Sequence, residues 1–159
     1  MKRIIALILS CCVGFSAVAE ENHDIQGAHE IFREKIILKN DGTQEKIREQ
    51  AKNALPGEEL VGVLTYEYLQ DKEADNSILT MALQKEFIYV EGSATDEDYV
   101  WFSVDGGKTY ARFADLIVTD KEGTSQKATG KDVTHLQWRH PHALNKGDSG
   151  TLEYRVTIR

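Results

Sequence analysis

The 159-residue sequence has few of the residues that build covalent or metal-linked scaffolds. It contains two cysteines, and both of them, Cys11 and Cys12, lie in the amino-terminal apolar segment. The rest of the chain therefore excludes a disulfide-stapled scaffold and a thiol enzyme. The Gly-x-Ser-x-Gly, His-Glu-x-x-His and glycine-rich phosphate-binding patterns are also absent. We expect no catalytic residues and a protein that is not an enzyme.

Positive charge is also scarce, with 19 Lys and Arg against 26 Asp and Glu and a formal charge of −7. Binding to nucleic acid needs clustered Lys and Arg that neutralise phosphates, so no nucleic-acid partner is expected. Long apolar runs are limited to a single one, Ile4–Ala19. This run is shorter than the ~20 residues that span a bilayer, and the sequence therefore predicts that the protein is not transmembrane.

The amino terminus has the pattern of a secretory signal peptide. Lys2 and Arg3 precede the apolar run, and Ala17-Val18-Ala19 places small residues at the two positions that a signal peptidase reads. We expect residues 1–19 to be removed by cleavage after Ala19, which predicts a periplasmic or secreted protein. The alternative is a lipoprotein acylated at Cys11, because the preceding residues loosely resemble a lipobox.

Hydrophobic alternation with a period of two dominates the chain after this segment. In the last segment, Leu152, Tyr154, Val156 and Ile158 alternate with polar residues, so each set faces one side of a strand. Glycine- and asparagine-rich turns separate the segments, which is typical of an all-β sandwich or barrel. We expect a flexible segment over 20–30 and one domain over 31–159. The predicted strands are 31–38, 59–68, 78–83, 87–90, 99–104, 133–139 and 151–158.

The segment Thr43–Leu55 has two interpretations. Ile47, Ala51 and Leu55 recur at a spacing of four, which favours a short amphipathic helix. The preceding turn, Asn40-Asp41-Gly42, instead favours a hairpin in which residues 44–48 form a strand. The sequence leaves both open.

Four stretches carry a resemblance to a known family: 55–66 (LPGEELVGVLTY), 90–110 (VEGSATDEDYVWFSVDGGKTY), 133–138 (VTHLQW) and 144–155 (LNKGDSGTLEYR). In this order they resemble DUF11, the conserved repeat domain of bacterial surface and secreted proteins. The resemblance implies an immunoglobulin-like antiparallel β-sandwich without catalytic residues. This chain has one copy, whereas family members often carry tandem copies. Gly62 stands where the family commonly has a large inward aromatic, which leaves either a small cavity or room for a neighbouring ring.

Two aromatic residues, Tyr99 and Trp101, mark the predicted interaction surface. If Val100 and Phe102 face the core, Tyr99 and Trp101 face outward. Large aromatic residues dominate binding hot spots. The sequence therefore predicts a contact with another protein of the cell envelope, and it leaves the oligomeric state open.

Three histidines, His135, His140 and His142, are the candidate metal ligands. The rigid His140-Pro141-His142 segment would present two imidazoles, but zinc sites take three or four protein ligands and no further one is identifiable. We expect neither a metal nor another cofactor. A periplasmic metal-binding or small-ligand-binding protein that uses this region is the alternative function.

The segment 103–110 matches the box Ser-x-Asp-x-Gly-x-Thr-aromatic. Asp105 is placed to accept backbone N–H groups across a turn, and Gly106 and Gly107 permit positive φ angles. A β-propeller would need many copies of this box, and the sequence has one. We expect a structural turn here.

Overall fold

The computed structural model describes the backbone of residues 6–10 and the whole of residues 25–159. Strands are its main element and the only helices are three short 3-10 turns, so the all-β prediction is confirmed. The predicted signal peptide falls outside the described residues except for Ala6–Ser10, and so does the alternative lipidation site, Cys11. The strands are β1 (Ala6–Ser10), β2 (Ile25–Leu38), β3 (Gln44–Gln50), β4 (Glu59–Tyr68), β5 (Ile78–Ala82), β6 (Phe87–Tyr89), β7 (Val100–Ser103), β8 (Ile117–Thr119), β9 (Ser125–Lys127), β10 (His135–Arg139) and β11 (Ser149–Ile158). The 3-10 turns are Glu97–Tyr99, Phe113–Asp115 and Gly130–Asp132.

The strands form two sheets and a separate small hairpin. The smaller sheet has the order β1-β5-β10-β7, and the larger sheet has the order β3-β2-β4-β11-β6. Every pairing is antiparallel except that of β1 with β5. The hairpin of β8 and β9, which the sequence pattern did not predict, stands apart from both sheets. The last strand, β11, lies inside the larger sheet, where it pairs with β4 and β6.

The core lies between the two sheets, which pack as a sandwich. Trp138 of the smaller sheet contacts Tyr154 of the larger one with ring centroids 6.3 Å apart. Tyr89 and Phe102 make a second aromatic contact between the sheets, at 5.1 Å. The Trp138 indole N–H donates to the backbone oxygen of Thr95 at 3.0 Å, so the polar group of this buried ring is satisfied. The alternating residues of both sheets thus meet in one apolar cluster.

The sheet begins earlier than the sequence predicted. Residues 25–30, which the sequence assigned to a flexible segment, belong to β2 and pair with β4. Ile25 is buried in the core and in register with Tyr68. The small and polar residues that follow Ile25 hide this strand from a pattern search, because they show no apolar alternation. The predicted boundary at Ile31 is therefore corrected to Ile25 or earlier.

The ambiguous segment is a strand and not a helix. Residues 44–50 form β3, which pairs with the second half of β2. Gly42 has a φ of 83°, and Asp41 closes the turn by accepting the Thr43 N–H at 2.9 Å. Pairing with β2 decides the outcome, since it supplies hydrogen bonds that a short isolated helix would have to make alone.

Two tyrosines cover two glycines across β4 and β11. Tyr154 is in register with Gly62, and Tyr66 is in register with Gly150. A Cβ atom on Gly62 would lie closer than 3.0 Å to the Tyr154 ring. The neighbouring ring therefore fills the space at Gly62, which settles the choice between a cavity and a ring.

Gly62→Ala should lower the free energy of unfolding by about 2 kcal/mol or more, because the added methyl group forces the buried Tyr154 ring to move. Urea denaturation followed by tryptophan fluorescence measures this change. Gly150→Ala is the matched control. Its Cβ would meet the hydroxyl end of the half-buried Tyr66, which can shift, so its effect should be smaller. Equal effects of the two substitutions would contradict the proposed role of Tyr154.

His29 of β2 is held against this same tyrosine. Its Nε2 atom lies 3.0 Å from the Tyr154 hydroxyl, and the two rings stack with centroids 5.9 Å apart. Burial lowers the pKa of His29 from its ordinary 6.5 to about 4. Between about pH 4 and pH 6.5 the imidazole is therefore neutral in the folded protein, whereas in an unfolded chain it is protonated.

This shift makes stability depend on pH. Between pH 6.5 and pH 4 the unfolded chain binds a proton that the folded chain does not, so the free energy of unfolding falls as the pH falls. We expect His29 to account for roughly 2 kcal/mol of this loss. In His29→Gln the decline over this range should be shallower by that amount. A pH series of urea denaturations that gave parallel curves for both proteins would exclude the assignment.

Candidate functional site

The predicted aromatic surface divides into one exposed and one covered residue. Tyr99 ends the 3-10 turn Glu97–Tyr99, and 46% of it is exposed. Trp101 lies in β7 and points away from the core, while its neighbours Val100 and Phe102 are buried. The guanidinium carbon of Arg139 sits 3.8 Å from the centre of the Trp101 ring. Trp101 is therefore an outward residue whose face is already occupied by a cation–π contact.

A chain of polar contacts continues from Arg139 across the outer face of the smaller sheet. Arg139 donates to Gln137 at 2.9 Å, and Gln137 donates to Thr80 at 3.3 Å. The side chain of Tyr110 is hydrogen-bonded to Thr80 as well. Thr80 and Gln137 are buried by this arrangement although they face away from the core. Trp101 thus belongs to a closed polar layer, and an open aromatic surface is limited to Tyr99.

The three candidate histidines do not meet. His135 begins β10 and His140 follows it, so at ~3.3 Å per residue their Cα atoms are roughly 17 Å apart. They also face opposite ways: His135 lies beside Tyr110 with ring centroids 6.5 Å apart, and His140 packs edge-on against Tyr66 at 5.0 Å. His142 is exposed in the loop. Among residues 25–159 no group of three His, Cys, Asp or Glu side chains could hold a metal ion.

Burial sets the direction of the pKa shift of His135 and of His140. It lowers the pKa of His135 and that of His140 below the ordinary value, and the carboxylates of Asp105 and Asp96 oppose this only in part. The Nε2 atom of His140 is buried and has no hydrogen-bond partner among the described residues. Both rings therefore behave as packed neutral side chains.

The segment 103–110 forms a tight turn organised by Asp105. This carboxylate accepts the backbone N–H groups of Lys108 and Thr109 at 3.1 and 3.0 Å. It also accepts the Thr109 hydroxyl at 2.6 Å and the Ser103 hydroxyl at 2.7 Å, and these bonds, that from the Thr109 hydroxyl foremost, hold its pKa well below the usual range. Gly106 and Gly107 have φ angles of 78° and 83°. All of these bonds stay inside the turn, so they fix its shape.

A two-stranded arm projects from the larger sheet. Its hairpin was one of the two interpretations of the sequence, but its projection beyond the sandwich was not predicted. Pairing of β2 with β4 stops at Phe32, and residues 33–38 pair only with β3. Ile36 and Leu38 are 68% and 71% exposed. The signal that could have revealed it is the uninterrupted Ile36-Ile37-Leu38, because a strand with one buried face would alternate. We call residues 33–50 the arm.

The base of the arm is held by a network of ion pairs centred on Glu34. Arg155 of β11 donates to Glu34 at 2.8 Å, and Lys46 and Arg48 of β3 donate at 3.2 and 3.0 Å. Arg48 also pairs with Glu153 at 2.6 Å. Burial alone would raise the pKa of Glu34, but the three cationic donors outweigh it and lower the pKa to about 2. Ion pairs therefore hold the arm against the sheet, while Ile36 and Leu38 further along it remain exposed.

The same network covers an apolar strip on the outer face of the larger sheet. Val61 and Val63 lie outside the main core, yet both are buried. They are in register with Arg155 and Glu153 of the neighbouring strand. Long charged side chains bury apolar surface with their aliphatic parts, so these pairs shield the two valines from water.

A shallow depression of about 400 Å³ lies near the other end of the larger sheet. It is open on one side and lined by glycines, hydroxyl residues and one carboxylate, that of Glu67. Its lining contains no histidine or cysteine.

A comparison with models of protein families, with curated proteins and with solved structures finds no match to this chain. The resemblance to DUF11 therefore stays a prediction. In the part of the chain that the structure describes, no helix is long and apolar enough to cross a bilayer.

Glu34→Gln should lower the free energy of unfolding by about 1–2 kcal/mol at pH 7, because three charged donors lose their anionic partner. The pKa of this carboxylate is depressed in the folded state, so its contribution is present above pH 4.5 and is lost as the pH falls towards 2. Denaturation curves of the variant and the wild type should therefore converge in acid.

Glu45→Gln is the control for this change. Glu45 pairs with Lys39, and both side chains are nearly half exposed, so its replacement should cost less than about 0.5 kcal/mol. If the two substitutions destabilise equally, or if the Glu34 gap is the same at pH 3 and pH 7, the network does not hold the arm.

Proposed function

We propose that this chain is a non-enzymatic, exported β-sandwich module that acts by contacting another protein of the cell envelope. The observation that carries the proposal is the exposed apolar patch on the arm, formed by Ile36 and Leu38 next to its polar turn. An exposed apolar patch on a projecting element is typical of an interaction site. The amino-terminal signal pattern and the resemblance to a family of surface and secreted proteins support export.

The construction of the arm supports the same proposal. The second half of β2 makes no strand pairing with the sandwich, so a partner can reach Ile36 and Leu38. The Glu34 network fixes the orientation of the arm, and Ile36 and Leu38 stay exposed beyond it. A mount fixed in this way loses little conformational freedom on binding, which favours affinity.

Photo-cross-linking in cells tests this function. A benzophenone amino acid is placed at Leu38 and, as a matched control, at Ile117, which is 59% exposed in the β8–β9 hairpin. We expect one reproducible adduct with an envelope protein from position 38 and none from position 117. Ile36→Ser together with Leu38→Ser should abolish capture of that protein by the tagged chain, because the apolar contact is removed.

The controls separate loss of contact from loss of fold. Both serine substitutions lie on exposed positions, so the midpoint of urea denaturation should stay within the error of the wild type. Identical adducts from positions 38 and 117, or capture that survives the double substitution, would contradict a contact through the arm.

A further inference from the structure

Apart from β1, which lies beside it, β5 would be the longest uncharged edge strand of the two sheets within residues 25–159. Its sequence is Ile-Leu-Thr-Met-Ala, whereas the edge strand β3 of the larger sheet carries four charged residues among seven. The remaining edges, β6 and β7, are only three and four residues long. Natural sheets protect their edges by charge or by shortness, and β5 has neither protection.

On the side away from β10, the backbone of β5 presents N–H and C=O groups that can pair with another strand. The Ser77 carbonyl accepts from His140, and the Leu83 N–H donates to Thr134, so alternate residues from 77 to 83 point towards β10. The N–H and C=O groups of Ile78, Thr80 and Ala82 consequently point the other way. In the structure they face β1, which lies beside β5 in parallel from Ala6 against Ile78 to Ser10 against Ala82.

The strand that covers this edge belongs to the predicted signal peptide. Cleavage after Ala19 would remove β1 and leave β5 as an open edge, because among residues 25–159 no other strand lies beyond it. This step depends on the export that the proposed function includes. Removal of the leader would thus turn a covered edge into a surface on which Ile78, Thr80 and Ala82 present free N–H and C=O groups.

We infer that two processed copies of this chain pair antiparallel through their β5 strands. With Thr80 opposite Thr80 of the second copy, Ile78 lies opposite Ala82 on the outer face, and Leu79 lies opposite Met81 on the core face. Apolar residues then meet apolar residues on either side of the central Thr80 pair, and no charges oppose each other. The contact is isologous and closes after two copies, and it joins the two smaller sheets into one continuous sheet.

Charge substitutions on the outer face test this pairing. One variant carries Ile78→Lys with Ala82→Lys, and the other carries Ile78→Glu with Ala82→Glu. Both positions are half-buried on the outer face, so the sandwich should still fold. Each variant alone opposes like charges at both ends of the contact, which should weaken self-association about tenfold or more. A mixture of the two opposes unlike charges and should restore the dimer.

The measurement is sedimentation equilibrium on protein purified from a bacterial envelope after expression of the full chain, with intact mass defining its amino terminus. We expect a dimer for the wild type, monomers for each variant alone and a dimer for the mixture. The control carries Ile117→Lys with Thr119→Lys in β8, and it should remain dimeric.

Two results would overturn the inference in distinguishable ways. A monomeric wild type whose mass shows that residues 1–19 have been removed refutes the β5 contact and leaves the proposed export intact. A mass that still includes residues 1–19 refutes leader removal, and with it the opening of the edge. The arm variant Ile36→Ser with Leu38→Ser should keep the dimer, and its loss there would place self-association on the arm instead.

Discussion

The reciprocal cover of Gly62 by Tyr154 and of Gly150 by Tyr66 is the constraint on which the larger sheet depends. Each glycine lets a ring lie flat across the neighbouring strand, so β4 and β11 can place two large side chains on one crowded face. Interiors are packed as densely as organic crystals, so the buried Tyr154 ring has no other place to go, whereas the half-buried Tyr66 keeps some freedom. The Tyr154 ring then reaches both Trp138 of the opposite sheet and His29 of β2.

The arm is held by a different kind of interaction. Glu34 lies where β2 has already left β4, so backbone pairing with the sandwich no longer fixes its position. Its carboxylate instead joins residues of β3 and β11, and the same side chains shelter Val61 and Val63. The Glu34 network therefore has two effects: it orients the arm, and it covers the outer face of the larger sheet beneath the arm.

Much of the fold could be predicted from the sequence where alternation is strong. The predicted strand over 59–68 coincides with β4, because Leu60, Leu64, Tyr66 and Tyr68 recur on one face and a Pro-Gly turn precedes it. Residues 25–30 could not be predicted, since Gly27, Ala28 and His29 become a strand only by pairing with β4. The ambiguous segment 43–55 likewise needed a partner strand to decide between helix and strand.

The candidate surfaces show the same limit. The outward direction of Trp101 follows from the alternation around it, but its cover by Arg139 depends on which strand lies beside β7. The exposure of Ile36 and Leu38 depends on where β4 ends, and that is a property of two strands together. The burial of Val61 depends on Arg155, which is paired with it only because β11 enters the sheet at this position. The local sequence pattern thus predicts the strands, whereas the neighbouring strands decide which side chains remain exposed to a partner.

The position of β11 also sets how this chain folds. In the larger sheet β11 lies between β4 and β6, so its contacts join residues far apart in sequence: His29 and Tyr154 are separated by 125 positions, and Glu59 and Arg155 by 96. Closing such long loops costs entropy before any contact repays it, and proteins with this topology fold in milliseconds to seconds rather than microseconds. Until β11 has been synthesised, β4 and β6 have no common neighbour, and Gly62 and Tyr66 lack their partners. The larger sheet therefore stays incomplete until then, a state in which a polypeptide can still be threaded through a narrow pore.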